Sequence, residues 1–367
     1  MKVLYITNVP APYRVEFFNE LSKLCQLTVV YESRKSKERN ADWTALADDG
    51  YESVFLRGLS VRADARCCPG ILKYIKRDKY DVIVVGGYAT PTAMLAISKL
   101  RRKKIPFFLN ADGGFIPENE SASKRRVKCK YIGGASWWLS TGEMTNEYFV
   151  NYGAGKERIF EYPFTSVRDT EIPLSPIPED LKLTIRGRKA LRCETLVVIV
   201  SRFIPEKGIY EFLETWLSED RGSIGLAVIG GGPEEDMYKK LTADSPNVWI
   251  LPFLKKDVLA DYYRAADVFV LPTTGDAWGL VINEAMSHGL PVFSTKRCIA
   301  AETMKGTGIY TFPAGNNRAL IFALMKYAKS ENKEAVRNAV LKKAREYTIE
   351  KMAKRHIEIF EETLSGV

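Results

Sequence analysis

The chain has 367 residues, 46% hydrophobic and 27% charged, a balance that fits a folded chain with two cores and excludes one built on a single ordinary core. Its net charge of +9 is uneven: residues 1–163 carry 26 basic and 18 acidic side chains, and the remainder is close to neutral. No run of about 18 apolar residues is present, so no membrane-spanning helix is expected; six cysteines without a CxxC pair, and only His288 and His356, speak against a Cys/His zinc site and for reduced thiols in a cytoplasm.

In chain order, Lys2–Thr7 is a short apolar run that reads as a first strand, since the opening MKVLYITNVP lacks the apolar core and cleavage site of a secretion signal. Arg14–Lys23 has helical apolar spacing and Gln26–Tyr31 is β-branched. Asp81–Gly86 predicts a strand, Thr92–Arg102 a helix, and Pro106–Asn110 and Trp137–Ser140 further strands. Pro163, Pro173, Pro176 and Pro178 then mark a linker.

The rhythm restarts with strands at Thr195–Ser201, Leu226–Gly230, Val248–Leu251, Phe269–Pro272 and Pro291–Ser294. Helices are expected at Gly208–Trp216, Tyr238–Leu241 and Leu280–His288, then at Arg318–Lys329 and as one long segment from Lys333 to Leu364. Strands alternating with helices imply parallel sheets covered on both faces, and hence an α/β chain of two doubly wound domains facing a cleft.

The excess positive charge lies in the first half, in Lys99, Arg101, Arg102, Lys103 and Lys104 and in Lys124, Arg125, Arg126, Lys128 and Lys130. Such a face meets water alone, an anionic membrane, or nucleic acid. No nucleic-acid motif accompanies it, so no nucleic-acid partner is expected.

Three stretches of the second half carry chemistry. Arg202 leaves the end of a strand, Lys207 follows, and Gly208 opens a helix; a guanidinium and an ammonium beside a helix N-terminus suit a diphosphate, although the same residues make an ordinary solvated turn. Gly230, Gly231 and Gly232 after a strand permit close approach of a ligand to the backbone, or simply a tight turn, with Pro233 expected to begin a helix. The third stretch runs from Asp276 through Trp278, Gly279 and Leu280 to Glu284. Free amides at a helix start face a phosphate, and Glu284 lies about 6 Å along the axis from Leu280, where a carboxylate can accept both hydroxyls of a ribose. Asp276, in the loop, can accept sugar hydroxyls. A carboxylate among Leu280, Val281, Ile282, Ala285 and Met286 otherwise needs a polar partner.

Asp276-Ala277-Trp278-Gly279 through Glu284-Ala285 is similar to the E-x7-E motif of the retaining glycosyltransferases of family 4, with Asp in the first position. Arg202, Lys207, Gly230–Pro233, Ala265–Pro272 and Gly289–Val292 extend the resemblance, which is specific in residues 195–303 and looser in residues 1–150.

The resemblance implies a GT-B fold: a Rossmann-like acceptor-side domain over residues 1–163, a nucleotide-sugar domain over residues 164–345, and a helix over residues 346–367 packing back on the first domain. It implies that Arg202 and Lys207 hold the diphosphate, Glu284 the ribose and Asp276 the transferred sugar. Backbone about Phe253 would meet the base, and amides at Gly231, Trp278, Gly279 and Leu280 would line the donor. It further implies transfer of a hexosyl-type sugar from a UDP-sugar to a glycan or lipid-linked glycan of a bacterial envelope polysaccharide, by same-face displacement, without metal or other cofactor. The expected location is cytoplasmic, at the inner membrane face.

Many members carry a His in the first domain, where this chain has none, so Asn110, Asp112 or the Gly113-Gly114 turn is expected to line that wall. Arg14 stands where the usual Gly-Gly turn is missing; it either reaches the ligand or is the first charge of a surface helix. A nucleotide-sugar epimerase and a non-enzymatic sugar-nucleotide-binding protein are the alternative readings.

Overall fold

The computed structural model describes residues 1–34, 50–62, 65–219 and 222–366. The chain forms two compact units: Met1–Ser166 with Thr348–Val367, and Val167–Tyr347.

The first unit contains β1 (Lys2–Thr7), α1 (Pro12–Ser22), β2 (Gln26–Tyr31), β3 (Glu52–Phe55), β4 (Leu59–Arg62) and β5 (Ala65–Cys67). It continues with β6 (Val82–Gly86), α2 (Pro91–Arg102), β7 (Phe108–Asn110), α3 (Ala122–Ile132), β8 (Trp137–Ser140), α4 (Glu143–Asn151) and β9 (Ile159–Glu161). Its seven-stranded sheet has the order β3-β2-β1-β6-β7-β8-β9, and all its pairs are parallel. β4 and β5 form a separate antiparallel hairpin.

The second unit contains α5 (Glu179–Arg188), β10 (Thr195–Arg202), α6 (Ile209–Ser218), β11 (Ile224–Gly231), α7 (Glu235–Leu241), β12 (Val248–Leu251) and α8 (Lys256–Ala265). It continues with β13 (Val268–Leu271), α9 (Leu280–Ser287), β14 (Val292–Thr295), α10 (Ile299–Thr303), β15 (Ile309–Phe312), α11 (Asn317–Ala328) and α12 (Lys333–Ala344). Its sheet, ordered β12-β11-β10-β13-β14-β15, is also wholly parallel. Strand order reverses between β1 and β6 in one unit and between β10 and β13 in the other, the positions beside which doubly wound sheets take ligands.

The central strands are continuous apolar runs because helices cover both faces. Leu196, Val197, Val198 and Ile199 of β10 are all fully buried. One core joins β10 and β11 to α6 and α11 through Phe212, Trp216, Leu320 and Leu324. The last helix, α13 (Ile349–Ser365), belongs to the first unit and buries Met352, His356, Ile359 and Phe360. The ring of Phe360 lies 5.2 Å from that of Phe108 on β7.

Two expectations are corrected here. The segment from Lys333 to Leu364 is two helices, not one: α12 ends at Ala344, and Thr348 caps the start of α13 by accepting from the Lys351 amide at 3.4 Å. Pro233 does not begin a helix but sits in the turn before Glu234, the N-cap of α7.

Candidate functional site

At the carboxyl edge of the second sheet, two stretches far apart in sequence are joined. The short 3-10 turn Pro205–Lys207 follows β10, and the Glu206 carbonyl accepts from Thr273 Oγ1 (2.9 Å), the Thr274 amide (3.0 Å) and Thr274 Oγ1 (3.1 Å). Lys207, a buried lysine, places Nζ 2.5 Å from Asp276 Oδ2. Gly208 packs so closely here that a Cβ on it would lie 2.5 Å from the Pro272 carbonyl. Arg202, at the end of β10, is exposed and forms no salt bridge among the described residues.

The Asp276 loop is held from the other side by β14. Its amide donates to the Arg297 carbonyl at 2.8 Å, and Asp276 pairs with Cys298 in an isolated parallel bridge. The Asp276 carboxylate also accepts from the Trp278 amide at 3.3 Å. Trp278 itself is buried, and its Nε1 donates to Asn283 Oδ1 at 2.8 Å. Its side chain is therefore a wedge under the loop, and its amide is held by Asp276.

Gly279 caps α9 with φ +95°, in the left-handed region that favours glycine. The amides of Gly279, Leu280 and Val281 have no acceptor among the described residues, so the helix start presents unpaired donors. Glu284, on the second turn of α9, accepts from Tyr263 Oη of α8 at 3.2 Å. Burial, and then the Glu284 charge, push the Tyr263 hydroxyl well above its usual pKa, so it stays a donor. His288 caps this wall: its ring lies 5.2 Å from that of Tyr263, Nδ1 contacts the Glu284 carbonyl at 2.9 Å, and burial keeps it below its usual pKa.

Of the three glycines at the end of β11, Gly230 and Gly232 serve the fold: a Cβ would lie 1.8 Å from the Ser201 carbonyl and 2.4 Å from that of Phe203. Gly231, between them, has nothing closer than 4.0 Å and opens to the same edge. Phe253 follows β12 and is half exposed. The strand ends thus set Arg202, Gly231, Phe253 and Asp276 along one side of one sheet.

The first unit has its own polar cluster at the carboxyl end of its sheet. Arg14 is buried, not on a helix surface; it pairs with Asp112 and donates to Asn110 Oδ1 at 2.9 Å. Asn110 Nδ2 donates to Tyr162 Oη at 2.7 Å, Tyr5 Oη to Asn110 Oδ1 at 2.6 Å, and Tyr13 Oη to Asp112 at 3.3 Å. Burial opposes the Arg14 charge, but Asp112 and the surrounding tyrosines outweigh it and hold the guanidinium above its usual pKa. Burial pushes the Tyr5 hydroxyl up to about 12. Asp112 keeps 29% of its side chain exposed.

Sequence reasoning missed Tyr263, Tyr5, Tyr13 and Tyr162. Tyr263 and Tyr162 arrive from elements remote in sequence, and Tyr5 and Tyr13, although near Arg14 in the chain, meet Asn110 and Asp112 only across the sheet.

Residues 194–330 match the family described as glycosyl transferases group 1. The teichuronic acid biosynthesis glycosyltransferase TuaC of Bacillus subtilis, itself described as putative, is 28% identical over 240 residues, covering 63% of this chain and 57% of TuaC. The chain therefore spans just over half of that relative's length. The Escherichia coli UDP-Gal:alpha-D-GlcNAc-diphosphoundecaprenol alpha-1,3-galactosyltransferase is 24% identical over 274 residues, covering 68% of this chain and 67% of the relative. Among solved structures, Anabaena HepE in complex with UDP and glucose superposes with a TM-score of 0.74 at 18% identity, covering 100% of both chains. Two parallel, doubly wound units, the strand-end constellation of the second and these matches lead to one assignment: the chain has the GT-B fold, and its residues 194–330 are similar to the group 1 glycosyltransferases.

Proposed function

We propose that the chain is a retaining glycosyltransferase of family 4 that moves a hexosyl-type sugar from a UDP-sugar to a glycan or lipid-linked glycan in bacterial envelope polysaccharide synthesis. The observation that carries this reading is the Lys207–Asp276 pair at the strand-order reversal, beside the unpaired amides of α9. The bound UDP and glucose of HepE, and the UDP-Gal and diphosphoundecaprenol in the name of the Escherichia coli relative, support UDP and a lipid-linked acceptor.

In this reading Arg202, Lys207 and the amides of Gly279 and Leu280 bind the diphosphate. Glu284, steadied by Tyr263, accepts the ribose hydroxyls; Phe253 and Gly231 border the nucleotide; Asp276 accepts hydroxyls of the sugar. When the bond from the anomeric carbon to the phosphate oxygen breaks, its electron pair goes to the leaving diphosphate. Lys207 and Arg202 stabilise that charge. The acceptor oxygen attacks from the same face, and a phosphate oxygen takes its proton, so the chain supplies no general base. Before the donor enters, Asp276 holds the Lys207 ammonium; afterwards the ammonium is shared with phosphate.

The test compares two conservative variants. Glu284→Gln loses a charge-assisted hydrogen bond to ribose and is expected to weaken UDP about 10- to 150-fold. Asp276→Asn removes an anion beside the diphosphate and leaves Lys207 unpaired, so UDP binds at least as tightly while transfer slows. Equal weakening of UDP by both variants, measured calorimetrically, would overturn the division of ribose from sugar. Transfer is also expected to persist in EDTA, because cationic side chains occupy the diphosphate's surroundings. Loss of transfer in EDTA with restoration by magnesium or manganese would refute that part.

A further inference from the structure

In the first unit Arg34, Arg57 and Arg66 line one cavity of about 620 Å³, with Ser33, Phe55 and Leu56. None of the three arginines forms a salt bridge among the described residues. Arg66 is fixed in place: Nη1 donates to Ser33 Oγ at 3.3 Å, Nη2 to the Gly58 carbonyl at 2.8 Å, and its buried Nε has no partner. Its backbone is held by Glu32 and Thr92. Arg34 lies over the Phe55 ring at 4.1 Å. Three guanidinium groups without a salt bridge among the described residues, with the buried Glu32 carboxyl behind Arg66 raised above its usual pKa by burial, form a cradle for a phosphate or diphosphate.

The cavity adjoins the β4–β5 hairpin, which joins neither large sheet. Leu59 and Val61 of that hairpin are 79% and 60% exposed, and their alternate positions place them on one face of β4. Exposed apolar side chains next to a cationic cavity match a ligand that carries both a phosphate and a hydrocarbon chain.

The site also lies at a telling end of the unit. The start of α2 is beside the cavity, since Thr92 Oγ1 donates to the Arg66 carbonyl at 2.7 Å. The basic stretch of Lys99 to Lys104 lies at the other end of α2, about 18 Å away by helical rise. The carboxyl edge of the sheet, where an acceptor is used, is at the cavity end.

We propose that Arg34, Arg57 and Arg66 bind the phosphate of a lipid, with Leu59 and Val61 entering its apolar region. This deepens the proposed function and rests on it: the lipid is the carrier of the acceptor, presented to the first unit through the hairpin.

The experiment measures partition into neutral phosphatidylcholine vesicles and into the same vesicles containing phosphatidic acid, with calorimetry against inorganic pyrophosphate and against UDP. Arg34→Gln and Arg57→Gln are each expected to lower partition into the phosphatidic acid vesicles about fivefold and to weaken pyrophosphate. Leu59→Ser with Val61→Ser is expected to lower vesicle partition while leaving pyrophosphate affinity unchanged. Lys103→Gln and Lys104→Gln, each likewise removing one charge, serve as the charge-matched controls and are expected to leave partition unchanged. Vesicle binding that depends on Lys103 and Lys104 but not on Arg34 and Arg57 would overturn the proposal. So would pyrophosphate binding that weakens in Arg34→Gln and Arg57→Gln while partition is indifferent to Leu59 and Val61, which would assign the cavity to a free anion. UDP affinity separates the two readings: wild-type chain that binds phosphatidic acid but not UDP refutes the donor site, not this one.

Discussion

Lys207, Asp276 and Glu284 stand out in the sequence because each is tied to a glycine or a helix start within a few residues. Their partners do not: Tyr263 reaches Glu284 from α8, and Arg14 meets Asp112 across almost a hundred residues. Arg14 illustrates the limit. Alone it reads as a charge on a helix, and only the sheet's carboxyl end supplies the Asn110 and Asp112 that allow its burial. His356 gives a test at this scale. It is fully buried between Phe17 and Tyr162, its Nε2 lacks a partner, and burial drives its pKa from 6.5 to about 3. Between those two values the unfolded chain binds a proton at this position and the folded chain does not. Stability therefore falls as pH drops through that window, by about 1.4 kcal/mol per pH unit from this one group. His356→Gln is expected to show a shallower loss of thermal stability between neutral pH and pH 4. An unchanged slope would mean that the folded protein accommodates the imidazolium.

Element boundaries depend on short signals. Strands buried on both faces, such as β10 and β13, are legible as apolar runs, whereas β9 has only three residues and β15 is buried at Ile309 alone, so neither stands out. Apolar periodicity alone runs α12 into α13, because the intervening turn contains neither glycine nor proline and only the Thr348 cap marks the new start; the separate last helix is set off by the family resemblance. At Gly279 the reverse holds, and a single residue decides an element's end. A Cβ there would lie 2.8 Å from Cys298 Sγ, and the φ of +95° is strained for any other residue. Gly279→Ala is expected to cost about 1–3 kcal/mol of stability and to weaken UDP by shifting the first amides of α9. Thermal unfolding and a UDP titration of the variant check this; wild-type values in both would show that the loop absorbs the change.

At the scale of the whole molecule, the chain passes between units twice, at Ser166–Val167 and again at Tyr347–Thr348, so its last helix completes the core of its first unit. Phe360, fully buried against Phe108, connects that helix to β7. Phe360→Ala is expected to destabilise the first unit by about 3–5 kcal/mol. UDP binding, a property of the second unit in the proposed reading, should survive that change at temperatures where the first unit remains folded. Simultaneous loss of both at low temperature would argue against two separate cores. The sequence by itself determined the parallel α/β rhythm, the break between units and the motif residues of the second, because apolar periodicity and glycine-linked turns are local properties of a chain. Only the tertiary structure decided that Lys207 pairs with Asp276, that Arg14 is buried, and that three arginines surround one cavity. Those outcomes depend on which strand ends the sheet order brings together, and pairing between distant strands leaves no mark in the neighbourhood of any one residue.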